Sequence, residues 1–158
     1  MKNDHIKKIL VCVDDSGQSA TAIKLSCTHA SKVDAIVEMI GTANFSDAQK
    51  FPYIGNALKK EMEEKAQGVM EKSITITKQW PEVKIICKVL QGTMAEAILQ
   101  SISNDDKIMM VVLGIGDSES KQTLTNIFNK TEDQLTIPIT LAPSNLTDQQ
   151  IRELYENN

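Results

Sequence analysis

The fold is decided by the stretch Lys8-Ile9-Leu10-Val11-Cys12-Val13-Asp14-Asp15-Ser16-Gly17-Gln18-Ser19. Its apolar half has the composition of a buried strand, and its polar half that of a tight turn. A helical pattern follows at once, with apolar residues three or four positions apart at Ala20, Ile23, Cys27 and Ala30. A strand, a turn and a helix in this order form the first half of a βαβ unit. Because ligands bind beyond the carboxyl ends of strands in open α/β sheets, this turn is the first candidate site.

The alternation of strands and helices continues along the chain. Four further runs rich in apolar residues predict strands at residues 35–40, 83–90, 108–113 and 137–142. Apolar residues at helical spacing predict the helices between them, the longest from Leu58 to about Thr77. This order predicts an α/β domain with a doubly wound, five-stranded parallel sheet and helices on both faces. Pro138 cannot donate a ladder hydrogen bond, so the fifth strand should lie at a sheet edge.

Length and composition favour one domain. The chain has 158 residues, of which 41% are apolar, and a formal net charge of -4. We assign residues 1–143 to the α/β domain and residues 144–158 to a short polar C-terminal tail. A negative net charge without a basic run argues against a nucleic-acid partner. The apolar run at residues 9–13 is too short to cross a membrane, so no membrane partner is expected.

The three cysteines bear on the compartment. Cys12, Cys27 and Cys87 lie inside apolar periodic segments and form no Cys-x-x-Cys pair. Buried small hydrophobic residues in a reducing compartment explain this pattern best. We therefore expect a cytoplasmic protein in which all three thiols are buried.

Two polar loops, at residues 14–19 and 114–120, follow predicted strands that should be neighbours in the sheet. Asp14 and Asp15 allow three interpretations: turn and cap residues, ligands of a divalent cation, or hydrogen-bond partners of a ligand hydroxyl or amine. Gly114 and Gly116 allow two: a tight turn that needs an unusual φ, or close approach of backbone N–H groups to a phosphate. The facing loops are thus the candidate binding site.

The sequence contains no assembled catalytic group. His5 and His29 have no partner at metal-ligand spacing, and no Cys/His cluster occurs. Ser16 and Ser19 lie outside any nucleophile-elbow pattern and have no sequence signal of a base partner. We therefore expect a binding or regulatory protein without a metal site rather than an enzyme.

Four segments together resemble the universal stress protein family, in the family's order and spacing. They are residues 9–19, 92–98, 111–114 and 137–141. Residues 9–19 resemble the family's first strand and its Asp-Gly-Ser turn, and residues 92–98 resemble its Gly-x-Pro-Ala-Glu-Ala-Ile segment. Residues 111–114 resemble the family's strand that ends in Met-Gly or Leu-Gly, and residues 137–141 resemble its last strand, Cys-Pro-Val-Leu-Val. Asp15 stands in place of the glycine of the turn, and Met94 in place of the proline. The match covers residues 7–143.

The resemblance implies a parallel sheet of order 3-2-1-4-5, usually in a homodimer, and a family divided into ATP binders and non-binders. Binders have a Gly-x-x-Gly stretch and a later Gly-Ser or Gly-Thr pair. Gly114 fits the first glycine, but Asp117 stands at the second, and Thr125 and Asn126 stand at the later pair. Asp117 and Glu119 also place negative charge where a polyphosphate would lie. The implied ligand is a weakly bound adenine nucleotide, ATP or AMP, with Mg²⁺ if a polyphosphate binds.

The candidate nucleotide-binding residues come from the first, second and fourth strand regions. They are Asp14, Asp15, Ser16, Ile40, Gly114, Gly116, Thr125 and Asn126. One alternative is a homodimeric protein-interaction module that binds no nucleotide. A second is a receiver-like signalling domain, because Asp14 and Asp15 also resemble its Mg²⁺-binding acidic pair. The receiver's phosphoacceptor aspartate and its lysine are missing at the ends of predicted strands three and five.

The fifth predicted strand is the candidate dimer contact. Its alternation puts Ile137, Ile139 and Leu141 on one face, which is costly to leave in water at a sheet edge. In the alternative, the tail helix around Ile151 and Leu154 covers this edge within one chain.

Overall fold

The computed structural model describes residues 6–43, 55–130 and 135–156. The strands are β1 (Lys8–Cys12), β2 (Ile36–Ala43), β3 (Ile85–Gln91), β4 (Ile108–Ile115) and β5 (Ile139–Pro143). The helices are α1 (Gly17–Val33), α2 (Gly55–Thr77), α3 (Met94–Asn104), α4 (Ser118–Lys130) and α5 (Asp148–Glu153). Helices and strands alternate from β1 to α5. None of the helices in the described ranges has the length and apolar content needed to span a membrane.

All strands lie parallel in one sheet of order β3-β2-β1-β4-β5. The predicted fold class and the strand order implied by the resemblance are confirmed. β1 is central and pairs with β2 on one side and β4 on the other, so the crevice of the fold opens at their carboxyl ends. β5 is an edge strand, as predicted. Pro138 has no N–H to donate, but its carbonyl accepts a hydrogen bond from Val111 N (3.0 Å). The ladder between β4 and β5 therefore begins with a bond that a proline can make.

Apolar cores fill the space between the sheet and the helices on both faces. On one face, Val11 of β1 and Met39 of β2 pack with residues of α1, α2 and α5. On the other, Leu10 of β1 and Ile40 of β2 pack with residues of α3 and α4. All four side chains are fully buried. Burial on both faces is the reason that β1 is a continuous apolar run without alternation.

The strand boundaries differ from the predicted ones. β2 continues to Ala43 and β4 to Ile115. Gly41 and Gly114 do not end these strands, because each continues the parallel ladder with the neighbouring strand. β3 and β5 both begin two residues later than predicted, so Ile137 lies ahead of its strand. In a sheet, pairing with neighbours therefore outweighs the local tendency of glycine to break a strand.

The burial predicted for the cysteines is correct for Cys12 and Cys27 and wrong for Cys87, which is exposed. Cys87 lies on β3, an edge strand that has a neighbour on one side only. Desolvation by burial raises the pKa of Cys27 to about 11 and also raises the pKa of Cys12.

The C-terminal segment folds into α5, which begins with a capping box. Thr147 Oγ1 accepts a hydrogen bond from Gln150 N (3.2 Å), and Gln150 Oε1 accepts one from Thr147 N (2.9 Å). Lys24 of α1 donates to Asp148 Oδ1 at 2.8 Å. Residues 157–158 of the predicted tail lie outside the described residues. The segment is thus joined to α1 at its start.

The apolar residues of this segment pack on the sheet face that carries α1. Ile151 is fully buried in the core that contains Ala142 of β5. Ile139 packs in the opposite core, Leu141 is 42% exposed and Leu154 is 58% exposed. α5 therefore does not pack in the core that contains Ile139.

A buried carboxylate joins three neighbouring strands. Glu38 of β2 is 1% exposed, and its Oε1 lies 3.5 Å from Lys8 Nζ of β1 and 3.1 Å from Lys88 Nζ of β3. Lys8 Nζ also donates to Asp105 Oδ2 at 2.7 Å. Glu38 Oε1 has no hydrogen-bond partner among the described residues, so the two ammonium groups compensate its charge electrostatically.

Candidate functional site

A cavity of about 450 Å³ opens at the carboxyl ends of β1 and β2. The turn after β1, the end of β2, one face of α2 and the first turn of α4 enclose it. Its lining residues are Val13, Asp14, Asp15, Gly41, Thr42, Ala43, Met62, Lys65, Ala66, Val69 and Glu119. The contributions of β2 and α2 are mostly small or apolar, whereas the turn and α4 supply three carboxylates. The cavity can therefore hold a ligand with a flat apolar part and a polar part.

Asp14 organises the turn after β1. Its Oδ1 accepts hydrogen bonds from Ser16 N (2.8 Å), from Ser19 Oγ (2.9 Å) and from Ser16 Oγ. Asp14 N in turn donates to Ser19 Oγ at 2.7 Å. One carboxylate oxygen thus holds the start of α1, where Ser16 is the N-cap residue. The side chain is nevertheless exposed and lines the cavity, so a ligand there can reach its carboxylate.

Asp15 has a weaker tie to the protein. Its Oδ1 lies 3.5 Å from Lys72 Nζ of α2, with the two side chains 62% and 76% exposed. Ion pairs this exposed contribute little to stability. Asp15 is therefore available at the mouth of the cavity, beside Asp14.

Gly114 and Gly116 approach α1 rather than the cavity. Neither has a positive φ, so the tight-turn interpretation is wrong. A Cβ at Gly114 would collide with the backbone of Gln18, and one at Gly116 would lie 2.7 Å from Ser144 Oγ. These glycines permit close packing between the end of β4 and the first turn of α1.

Three backbone N–H groups in the turn before α4 and in its first turn are bound within the protein. Gly116 N and Asp117 N donate to Ser120 Oγ at 3.3 and 3.4 Å, and Ser120 N donates to Asp117 Oδ1 at 2.8 Å. The hydrogen bonds from Ser120 lower the pKa of Asp117 below its usual value. A phosphate that used these three N–H groups would have to displace these bonds.

The remaining predicted site residues lie away from the cavity lining. Ile40 is fully buried in the core between the sheet and α3. Thr125 donates its hydroxyl proton to the Lys121 carbonyl (2.9 Å), and Asn126 Oδ1 accepts from Gln122 Nε2 (3.0 Å), both on α4. Of the eight predicted residues, the structure brings only Asp14 and Asp15 into the lining.

The sequence reasoning missed the contribution of α2. Met62, Lys65, Ala66 and Val69 occur at helical spacing, which predicted a helix packed on the core. These four residues also line the cavity. Glu119 lay within a predicted loop region and is the α4 residue that reaches the lining.

A second and larger space, about 690 Å³, lies between α2 and β3 and is lined by charged side chains such as Lys60, Glu63 and Glu71. It lies at the β3 edge of the sheet, away from the turn after β1. Within residues 6–43, 55–130 and 135–156, no group of three histidine, cysteine or acidic residues is placed to hold a metal ion.

No protein-family model matches the chain, and no curated protein matches it. Several solved structures are similar to it. The universal stress protein UspA from Lactobacillus plantarum has a TM-score of 0.71 and 16% identity, over 89% of this chain and 99% of its own. The universal stress protein from Archaeoglobus fulgidus in complex with dAMP has a TM-score of 0.65 and 14% identity, over 87% and 98%.

A universal stress protein in complex with cAMP has a TM-score of 0.59 and 12% identity, over 89% of this chain and 99% of its own. The likeness thus extends over almost the whole length of each structure. Together with the strand order β3-β2-β1-β4-β5, it shows that this chain has the fold of the universal stress proteins.

Proposed function

We propose that this protein is a non-enzymatic stress-response or regulatory module of the universal stress protein type, which binds the adenosine part of an adenine nucleotide weakly. The observation that supports this most directly is the cavity of about 450 Å³ at the carboxyl ends of β1 and β2. Sheets of this kind bind their ligands at that edge. Structures of the same fold were solved in complex with dAMP and cAMP.

The lining suits a nucleoside better than a polyphosphate. Met62, Ala66 and Val69 offer an apolar wall for a base, and Asp14 offers a carboxylate oxygen to a ribose hydroxyl. Three N–H groups beside the start of α4, those of Gly116, Asp117 and Ser120, are engaged within the protein. ATP therefore gains little from its extra phosphates.

The proposal includes a homodimer in the cytoplasm. β5 is an edge strand, and Leu141 on it is 42% exposed. An exposed apolar edge is stabilised when a second copy covers it. All three cysteines are free thiols, which agrees with a reducing compartment.

Isothermal titration calorimetry with adenosine, AMP and ATP tests the ligand. We expect weak binding, with adenosine and AMP no worse than ATP by more than about tenfold, or about 1.4 kcal/mol. Asp14→Ala should weaken binding more than Asp15→Ala. Thr125→Ala, on α4 outside the lining, is the control and should bind as the wild type does.

Submicromolar ATP binding with far weaker AMP binding contradicts this ligand assignment. So does binding that survives Asp14→Ala and disappears in Asp15→Ala. If none of the three ligands binds, the alternative of a homodimeric protein-interaction module without a nucleotide site is favoured.

A further inference from the structure

We propose, on the basis of the proposed function, that Glu119 makes the cavity selective for the charge of the ligand. The favoured ligand is an adenine nucleoside whose 5′ substituent is neutral or cationic, and phosphorylated nucleosides are disfavoured. This preference is exerted by the acidic part of the cavity, which is formed by Asp14, Asp15 and Glu119.

The charges of the lining are unbalanced. Among the described residues of the lining, three carboxylates face one ammonium group, that of Lys65. Lys72 lies 3.5 Å from Asp15 and compensates part of its charge from outside the lining. A 5′-phosphate adds negative charge to this surplus, whereas a 5′-ammonium group reduces it.

Several hydrogen-bond donors beside the two helix starts are already engaged within the protein. At α1, Asp14 N donates to Ser19 Oγ (2.7 Å) and Ser16 N to Asp14 Oδ1 (2.8 Å). At α4, Ser120 N donates to Asp117 Oδ1 (2.8 Å). The acceptors of these three N–H groups are protein oxygens, so a phosphate that used them would have to replace satisfied bonds.

Glu119 itself occupies the favourable place for an anion. It is the acidic residue of the first turn of α4, where the helix dipole stabilises negative charge. Its carboxylate lines the cavity and is part of the chain. The favourable electrostatic interaction with this helix N-terminus is therefore already made by the Glu119 carboxylate, and a phosphate gains less from it.

The remaining part of the lining defines the other end of the ligand. Met62, Ala66 and Val69 provide apolar surface, and Thr42 adds a hydroxyl beside them. These groups carry no charge. An uncharged purine fits them, so the charge preference acts on the sugar substituent alone.

Calorimetry at pH 7 and low salt with adenosine, 5′-amino-5′-deoxyadenosine and AMP tests the inference. We expect the amino compound to bind at least about tenfold more tightly than AMP, with adenosine between them. In Glu119→Gln, the preference for the amine over AMP should fall at least about threefold, because one repulsive charge is gone. Glu61→Gln, an exposed glutamate of α2 outside both cavity linings, is the matched control and should keep the wild-type ratio.

The outcomes separate the two proposals. AMP binding as tightly as adenosine or more tightly overturns the charge selectivity and leaves adenosine binding in place. An unchanged amine-to-AMP ratio in Glu119→Gln overturns the role of Glu119. Failure of adenosine and the amino compound to bind overturns the proposed ligand class and the inference with it. A urea unfolding curve for each variant shows that the folded protein is being compared.

Discussion

Gly114 of β4 lies against the backbone of Gln18 in the first turn of α1. A Cβ at position 114 would stand 2.5 Å from the carbonyl carbon of Gln18 and 2.8 Å from its Cβ. Real Cβ atoms do not approach backbone atoms so closely, and neither element can move without shifting its pairing or packing. The glycine is therefore required by the contact between strand and helix.

Gly114→Ala should lower the free energy of unfolding by about 3 kcal/mol, since an overpacked contact with backbone has no flexible side chain to give way. Urea denaturation measures this. Gly68→Ala is the matched control: a Cβ at Gly68 of α2 meets nothing within 4 Å. Because alanine is the better helix former, that variant should be about 0.5–1 kcal/mol more stable than the wild type. Equal stabilities of the two variants would contradict the packing role.

Lys88→Met should destabilise the protein by about 1–2 kcal/mol, because among the described residues the buried Glu38 then keeps only Lys8 as an ion-pair partner, at the longer distance of 3.5 Å. Lys88 is 49% exposed, so the loss is smaller than for a fully buried partner. Lys84→Met, an exposed lysine just before β3, is the control and should change the free energy of unfolding little. In the background of Glu38→Gln, the cost of Lys88→Met should fall, which a double-mutant cycle in urea detects.

Low pH should reduce the stability of the folded protein, in part because Asp105 becomes protonated. The hydrogen bond from Lys8 Nζ lowers the pKa of Asp105 below its ordinary value of 3.8. A carboxyl group whose pKa is lower in the folded state than in the unfolded state stabilises the folded protein at pH values above the unfolded-state pKa. This stabilisation is lost as the pH falls through the folded-state pKa. Asp105→Asn should therefore lose less stability than the wild type between pH 7 and pH 3. Equal losses in urea titrations at the two pH values would contradict this.

The thiols should react in two classes. Cys87 is exposed, whereas Cys12 and Cys27 are buried with raised pKa values, so their thiolates are scarce and inaccessible. In the folded protein, a colorimetric disulfide reagent should modify one thiol rapidly, and in urea it should modify all three. Cys87→Ser should remove the rapid phase. Rapid reaction of a second thiol in the folded state would show that the core opens locally.

Leu141→Lys should convert a dimer into a folded monomer in sedimentation velocity experiments, because it places a charge on the exposed apolar edge of β5. Ile139→Lys is expected to do the same, but Ile139 also packs in the core and its loss affects folding. Leu154→Lys, 58% exposed after α5, is the control and should leave the mass unchanged. A wild-type chain that is monomeric at high micromolar concentration contradicts the proposed interface.

The sheet was predictable because burial on both faces leaves a direct mark on the sequence. The continuous apolar run of β1 and the polar turn at Asp14 identify a central strand and its carboxyl end without any tertiary information. Strand ends were harder to predict. Gly114 has the local signature of a strand break, yet pairing with Ala142 of β5 carries the ladder through it.

Only part of the candidate site could be found in the same way. Asp14 and Asp15 follow a strand and were located by topology alone. Lys65 and Glu119 enter the lining because of the way α2 and α4 are placed against the sheet, which depends on tertiary packing. Thr125 was placed by counting along the chain, but it lies within α4, away from the cavity lining.

Both turns beside the cavity are held by hydrogen bonds that the protein makes to itself, through Asp14 and Ser19 at one and Asp117 and Ser120 at the other. A ligand that enters the cavity meets backbone that is already ordered, and it gains little by rearranging that backbone. At these two turns, the occupied and empty forms of the protein then present nearly the same backbone to their surroundings. A partner that reads out occupancy at these two turns would therefore have to touch the bound molecule itself.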